Sequence, residues 1–96
     1  MKIDAIVLNA VDNVATAVQD LEKMQMARVR SGENVLEVQT TETIPYGHKF
    51  AMKAMVKGEP ILKYGEVIGT ATEDIAVGQH AHVHNIESTR GRGDLR

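Results

Sequence analysis

The chain has 96 residues, a formal net charge of -2, four histidines and no cysteine. One small domain is expected, with no disulfide or thiolate metal site and no electrostatic case for nucleic-acid binding. No apolar run approaches the roughly 20 residues that span a bilayer, and Asp4 interrupts any signal-like start, so a cytoplasmic domain without a membrane partner is expected.

Ile3 to Leu8 is short, apolar and partly β-branched, and it predicts a buried strand. Asp12-Asn13 offers an N-cap, and Val14, Val18 and Leu21 follow at helical spacing, so a short helix is expected there. The period then changes. Leu36, Val38 and Thr40 alternate with Glu37, Gln39 and Thr41, as on a strand. Ile44-Pro45-Tyr46-Gly47 predicts a turn, and His48 to Met55 a strand. Ile61 to Tyr64 and Val67 to Ala71 flank Gly65-Glu66 as a tight reversal. A last strand is expected from His80 to Ile86. Three segments share an apolar residue, a Gly and a Glu or Gln, around Gly32, Gly58 and Gly78, each read as a turn that launches a strand. Four of the five methionines, Met24, Met26, Met52 and Met55, are expected as core filler. A polar tail of residues 87–96, with three arginines, follows a domain of residues 1–86; its Arg92-Gly93-Asp94 tripeptide is treated as coincidence.

Chemistry-bearing residues cluster in four places. His80-Ala81-His82-Val83-His84 on a strand would put three imidazoles on one face, able to reach a divalent metal or to move protons near neutral pH. Tyr46-Gly47-His48-Lys49 presents an imidazole and an ammonium beside a turn. Lys63-Tyr64-Gly65-Glu66 adds a cation and a phenol. Asp12-Asn13 is a cap that could also attract an anion. The competing expectation for each is structural: a solvated face, a turn or a helix cap.

Taken in order, Asp12-Asn13-Val14-Ala15, Ile44-Pro45-Tyr46-Gly47-His48-Lys49, Lys63-Tyr64-Gly65-Glu66-Val67-Ile68-Gly69 and His82-Val83-His84-Asn85 resemble the N-terminal domain of altronate and galactarate dehydratases, the SAF domain. The resemblance covers nearly the whole chain. It implies a mostly β, β-clip fold of short bent strands. It also implies a small component of a sugar-acid hydro-lyase that yields a 2-keto-3-deoxy acid, inactive alone and sharing its site with a large catalytic subunit. The small subunit of (2R)-sulfolactate sulfo-lyase is built on the same plan, and a non-catalytic substrate cap is a further alternative. The cofactor implied is a divalent metal, iron in the family. The residues carried over are His48 and His84 as catalytic, His82 and His84 as metal ligands, and Lys49, Lys63, Tyr64, Asn13 and Asn85 for substrate.

Overall fold

The computed structural model describes residues 2–88, and all of its regular structure is β. Nine strands occur in chain order: β1 (Ala5–Val7), β2 (Val14–Ala17), β3 (Met26–Ser31), β4 (Asn34–Gln39), β5 (Lys49–Ala51), β6 (Pro60–Lys63), β7 (Glu66–Ala71), β8 (His80–Ala81) and β9 (Ile86–Ser88). Six form a sheet in the order β4-β3-β1-β2-β5-β8, and β6-β7-β9 form a second. Within the larger sheet β1 and β3 are parallel, and the other pairs are antiparallel.

The mostly β expectation holds, and the expected helix after Asp12-Asn13 is corrected. Val14–Ala17 is a strand paired on both edges, with β1 and β5. Helical spacing of Val14, Val18 and Leu21 misleads because Val18 is 39% exposed, whereas Val14, Ala15 and Ala17 are buried. Both flanks of the short strand are covered, so it lacks the alternation that marks a half-solvated one. The side chains of Asp12 and Asn13 serve other backbones. Asp12 accepts from the amides of Tyr64 and Gly65 at 2.9 and 2.8 Å. Asn13 accepts from the amide of Leu62 at 2.8 Å and donates to the carbonyl of Pro60 at 2.9 Å.

Two further expectations change in extent. The strand that starts near His48 ends at Ala51, and the one that starts at His80 ends at Ala81. Residues 82–85 turn, and the chain resumes as β9, which takes in Glu87 and Ser88 beside β7. The expected 86/87 boundary therefore falls inside a strand, and residues 89–96 of the expected tail lie outside the described residues. Of the methionines, Met55 is buried and Met52 packs against the core, whereas Met24 and Met26 are exposed.

A nine-residue unit recurs four times and organises the fold. Its copies begin at Ala17, Thr40, Ala51 and Ala71, and place Leu21, Ile44, Met55 and Ile75 at the fifth position. These four side chains are 0–2% exposed. They bridge in pairs, Leu21 with Ile44 and Met55 with Ile75, by reciprocal backbone bonds of 2.8–2.9 Å. The eighth position, Met24, Gly47, Gly58 or Gly78, has positive φ, and its amide donates to the first residue of the paired copy. Each pair seeds one half of the core. Leu21 and Ile44 pack with Phe50, Val29 and Val7, and Met55 and Ile75 with Val14, Ile61 and Ala71. The repeat around Gly58 and Gly78 is thus real. Gly32 belongs elsewhere, at the tip of the β3–β4 hairpin between paired Ser31 and Asn34.

The ninth position closes the turn. Gln25, Glu59 and Gln79 accept, through Oε1, from the backbone amides of Glu22, Val56 and Ala76. In the remaining copy the amide-bearing residue is Pro45, which has no N–H to satisfy, and the ninth residue is His48. His48 is therefore free of the closing role that its three counterparts perform.

Candidate functional site

The pairing of β5 with β8 sets Lys49 opposite Ala81 and Phe50 opposite His80. His48, one residue before β5, thereby comes beside the β8 histidine, and its Nδ1 lies 3.0 Å from Nε2 of His80. Two neutral imidazoles make this contact when one nitrogen carries the proton and the other accepts it. His82 joins from the turn after β8. Its ring centroid is 4.2 Å from that of His48 and 5.4 Å from that of His80. His84 stands beyond His80, at 5.2 Å between centroids. The expected three-histidine face therefore forms, through a strand end plus a turn rather than along one continuous strand.

The turn owes its shape to Asn85, which is fully buried. Its Oδ1 accepts from the amide of His82, its Nδ2 donates to the carbonyl of His80, and its own amide donates to the carbonyl of His82. Both ends of the Asn85 side chain are thus engaged in shaping the backbone. Asn13 is likewise buried and committed to β6. The structure sets these two expected substrate residues behind the site, as supports.

Lys49 and Lys63 continue the surface. Burial, and then the nearby Lys63 ammonium, lower the pKa of Lys49. Among the described residues, neither ammonium is ion-paired to a carboxylate. The Lys63 ammonium sits 5.0 Å from the ring centroid of Tyr64, whose backbone has φ 58°. That left-handed conformation is held by the two amide bonds to Asp12, which also fix Gly65. The Lys49 charge reaches His82 as well. A continuous strip thus runs from His84 through His80, His48 and His82 to Lys49, Lys63 and Tyr64.

Desolvation is the first cause lowering the pKa of both His80 and His82, followed by neighbouring imidazoles and, at His82, Lys49. The unprotonated imidazole is the metal-binding form. One ring nitrogen each from His48, His80 and His82 lie within 4.8 Å of one another, a donor set that suits a divalent transition metal. The rings of this set are stacked, with interplanar angles of 13–23°. Coordination by all three requires them to turn about χ2, a soft torsion.

Of the three histidines on the expected face, the resemblance carried over His82 and His84 as ligands and not His80, although the structure makes His80 the centre of the cluster. It also missed Glu42, whose Oε1 accepts from the His80 amide at 3.0 Å. Glu42 is brought there by the bond from the Thr41 amide to the Gly78 carbonyl. Its contact with His80 spans 38 positions and leaves no local pattern.

The family described as the altronate/galactarate dehydratase SAF domain matches residues 3–89. The alpha subunit of (2R)-sulfolactate sulfo-lyase from Chromohalobacter salexigens is 34% identical over 93 residues, covering 94% of this chain and 99% of that subunit. Altronate dehydratase from Escherichia coli is 40% identical over 78 residues, and that from Bacillus subtilis 34% over 77. The chain spans only 15% of the length of each dehydratase. Among the described residues no helix is long and apolar enough to cross a membrane. With a family match over nearly all of its length, the chain belongs to the SAF domain family of altronate and galactarate dehydratases.

Proposed function

We propose that this chain is the small component of a lyase acting on a 2-hydroxy acid, and that its imidazole strip and lysine pair complete a site on a larger catalytic chain. The observation that carries this reading is the adjacency of three metal-competent imidazoles to two ammonium groups that, among the described residues, have no carboxylate partner. The two kinds of relative share a chemistry. A dehydratase acting on altronate and a sulfo-lyase acting on sulfolactate can both remove the proton at C2 and expel a group from C3. Hydroxide leaves in one case and sulfite in the other, and the enol left behind becomes a 2-keto acid.

Lys49 and Lys63 hold the substrate carboxylate and offset the charge that develops as the C2 proton departs. Tyr64 borders the same anion. His48, His80 and His82 are the residues that would hold a divalent metal, with iron as the family's expectation. When bound, such an ion supplies Lewis-acid polarisation of a substrate oxygen. His48 is thereby a ligand in this reading, and His84, on the outer side of His80, is the imidazole left to carry a proton to or from the reacting acid. Glu42 and Asn85 set the His80 and His82 backbones.

The likeness to the sulfo-lyase alpha subunit supports sulfite as the leaving group, and the family match supports hydroxide. The test is to pair the chain with the larger lyase chain of the same organism and assay altronate, galactarate and sulfolactate. Turnover that needs both chains, falls in H82A and shows a raised KM in K63A is expected. Full activity from the larger chain alone would refute the reading. Sulfite release against 2-keto-3-deoxy acid formation decides the leaving group.

A further inference from the structure

His80 takes part in two ligand sets. The first is the triad with His48 and His82. In the second, Glu42 and His84 each bring one ligand atom within 4.8 Å of one another and of a nitrogen of His80. The two sets differ in charge and in access. The triad is half-buried and lies next to Lys49, whose charge, with that of Lys63 beyond it, repels an arriving cation. The second set contains a carboxylate, which attracts one, and its His84 is exposed. The Glu42 carboxylate is anchored through Oε1 on the His80 amide, which leaves its second oxygen for a ligand role.

We propose that Glu42, His80 and His84 form an outer capture position for a divalent transition-metal ion, from which the ion passes by ligand exchange at His80 to the inner set of His48, His80 and His82. The inner set is the metal-holding part of the function proposed above, and the outer position is an addition to it. A ligand common to both positions lets the ion move without returning to bulk water. Each step exchanges one imidazole or carboxylate bond for another, with no change of oxidation state. Release of the outer position also returns His84 to its unligated form, as proton transfer by that residue requires.

The probe is Co²⁺ added to the full, metal-stripped chain, followed by stopped-flow absorbance and by equilibrium titration. E42Q and H84A are expected to slow loading about tenfold, as loss of an attracting charge or of a first ligand does. Their final affinity should stay close to that of the unsubstituted chain. H48A/H82A is expected to bind one Co²⁺ weakly at the outer position, and E42Q added to that background to remove it. Unchanged loading rates in both E42Q and H84A would overturn the proposal, as would a H48A/H82A chain that binds no better than H80A. Failure of the underlying reading has a separate signature: H48A/H82A would retain the affinity of the unsubstituted chain. All five side chains are half-buried or exposed, so circular dichroism should show the β-fold intact in every variant.

Discussion

The Asn85 side chain bonds the backbone on both sides of Ala81. Its Nδ2 is 2.9 Å from the carbonyl of His80, and its Oδ1 is 2.9 Å from the amide of His82. Because Asn85 has no exposed surface, water cannot replace either bond without opening the turn. N85A is therefore expected to cost about 1–3 kcal/mol, the range for orphaning buried polar groups. Urea unfolding measures that loss. Co²⁺ affinity should fall with it, because the spacing of His80 and His82 is no longer fixed.

Asp12 makes a comparable demand at the other end of the strip. Its two oxygens accept from the amides of Asn9, Tyr64 and Gly65. D12N turns one acceptor into a donor that faces an amide. A loss of about 1.5–3 kcal/mol is expected, as for hydrogen bonds to a charged group. Paired with the larger lyase chain proposed above, the same variant should raise KM more than it lowers kcat, because Lys63 and Tyr64 lose their support.

The glycines of the repeated turns should rank sharply. A Cβ at Gly47 or Gly58 meets nothing within 4 Å, so alanine there costs only the left-handed backbone, about 1–2 kcal/mol. At Gly78 the same atom would fall 2.0 Å from the carbonyl oxygen of Gln39. G78A must also displace the segment that carries Glu42. Thermal melts should place G78A well below G47A and G58A, and equal midpoints would contradict this packing.

Acid should weaken the metal-free chain. His80 and His82 have pKa values below the unfolded value, chiefly through desolvation. As pH falls through the ordinary histidine range near 6.5, the unfolded chain therefore takes up protons first, and stability drops. The decline ends once pH lies below the folded values. Urea midpoints measured from pH 8 to pH 5 should fall, and H80A/H82A should flatten the curve.

The ninth position of the repeated unit separates structure from chemistry. Q79A and E59A each leave a turn amide without its side-chain acceptor and should cost about 0.5–1.5 kcal/mol. H48A leaves no such donor, because Pro45 lacks one, and gives up only the part-buried contact with His80, so its turn should stay closed and its stability loss should be the smallest of the three. Denaturation of the three variants side by side checks this. Only H48A should lose metal affinity.

Much of this was legible in the sequence. Alternation around Val38, the turn at Pro45-Tyr46-Gly47 and the reversal at Gly65 mark a chain of short strands, and the ordered motifs gave the family. The helix was misread because Val14, Val18 and Leu21 fit a 3.6-residue period by accident. A strand of four residues, paired on both edges, is too short to show a period of its own. The full repeat stayed hidden because Met24 stands where the other copies have Gly, and His48 where they have Gln or Glu. Neighbouring histidines announced themselves, but the centrality of His80 depends on His48, 32 positions away, and no local pattern encodes that distance.

Pro45 and His48 carry a meaning as a pair. In three turns an acceptor side chain answers a backbone amide, and in the fourth the amide is absent and the acceptor is replaced by an imidazole. A proline at the sixth position of a unit thus excuses the ninth from structural duty. Among related chains, the unit that bears the proline should be the one whose ninth residue answers to the site, while its three siblings keep Gln or Glu.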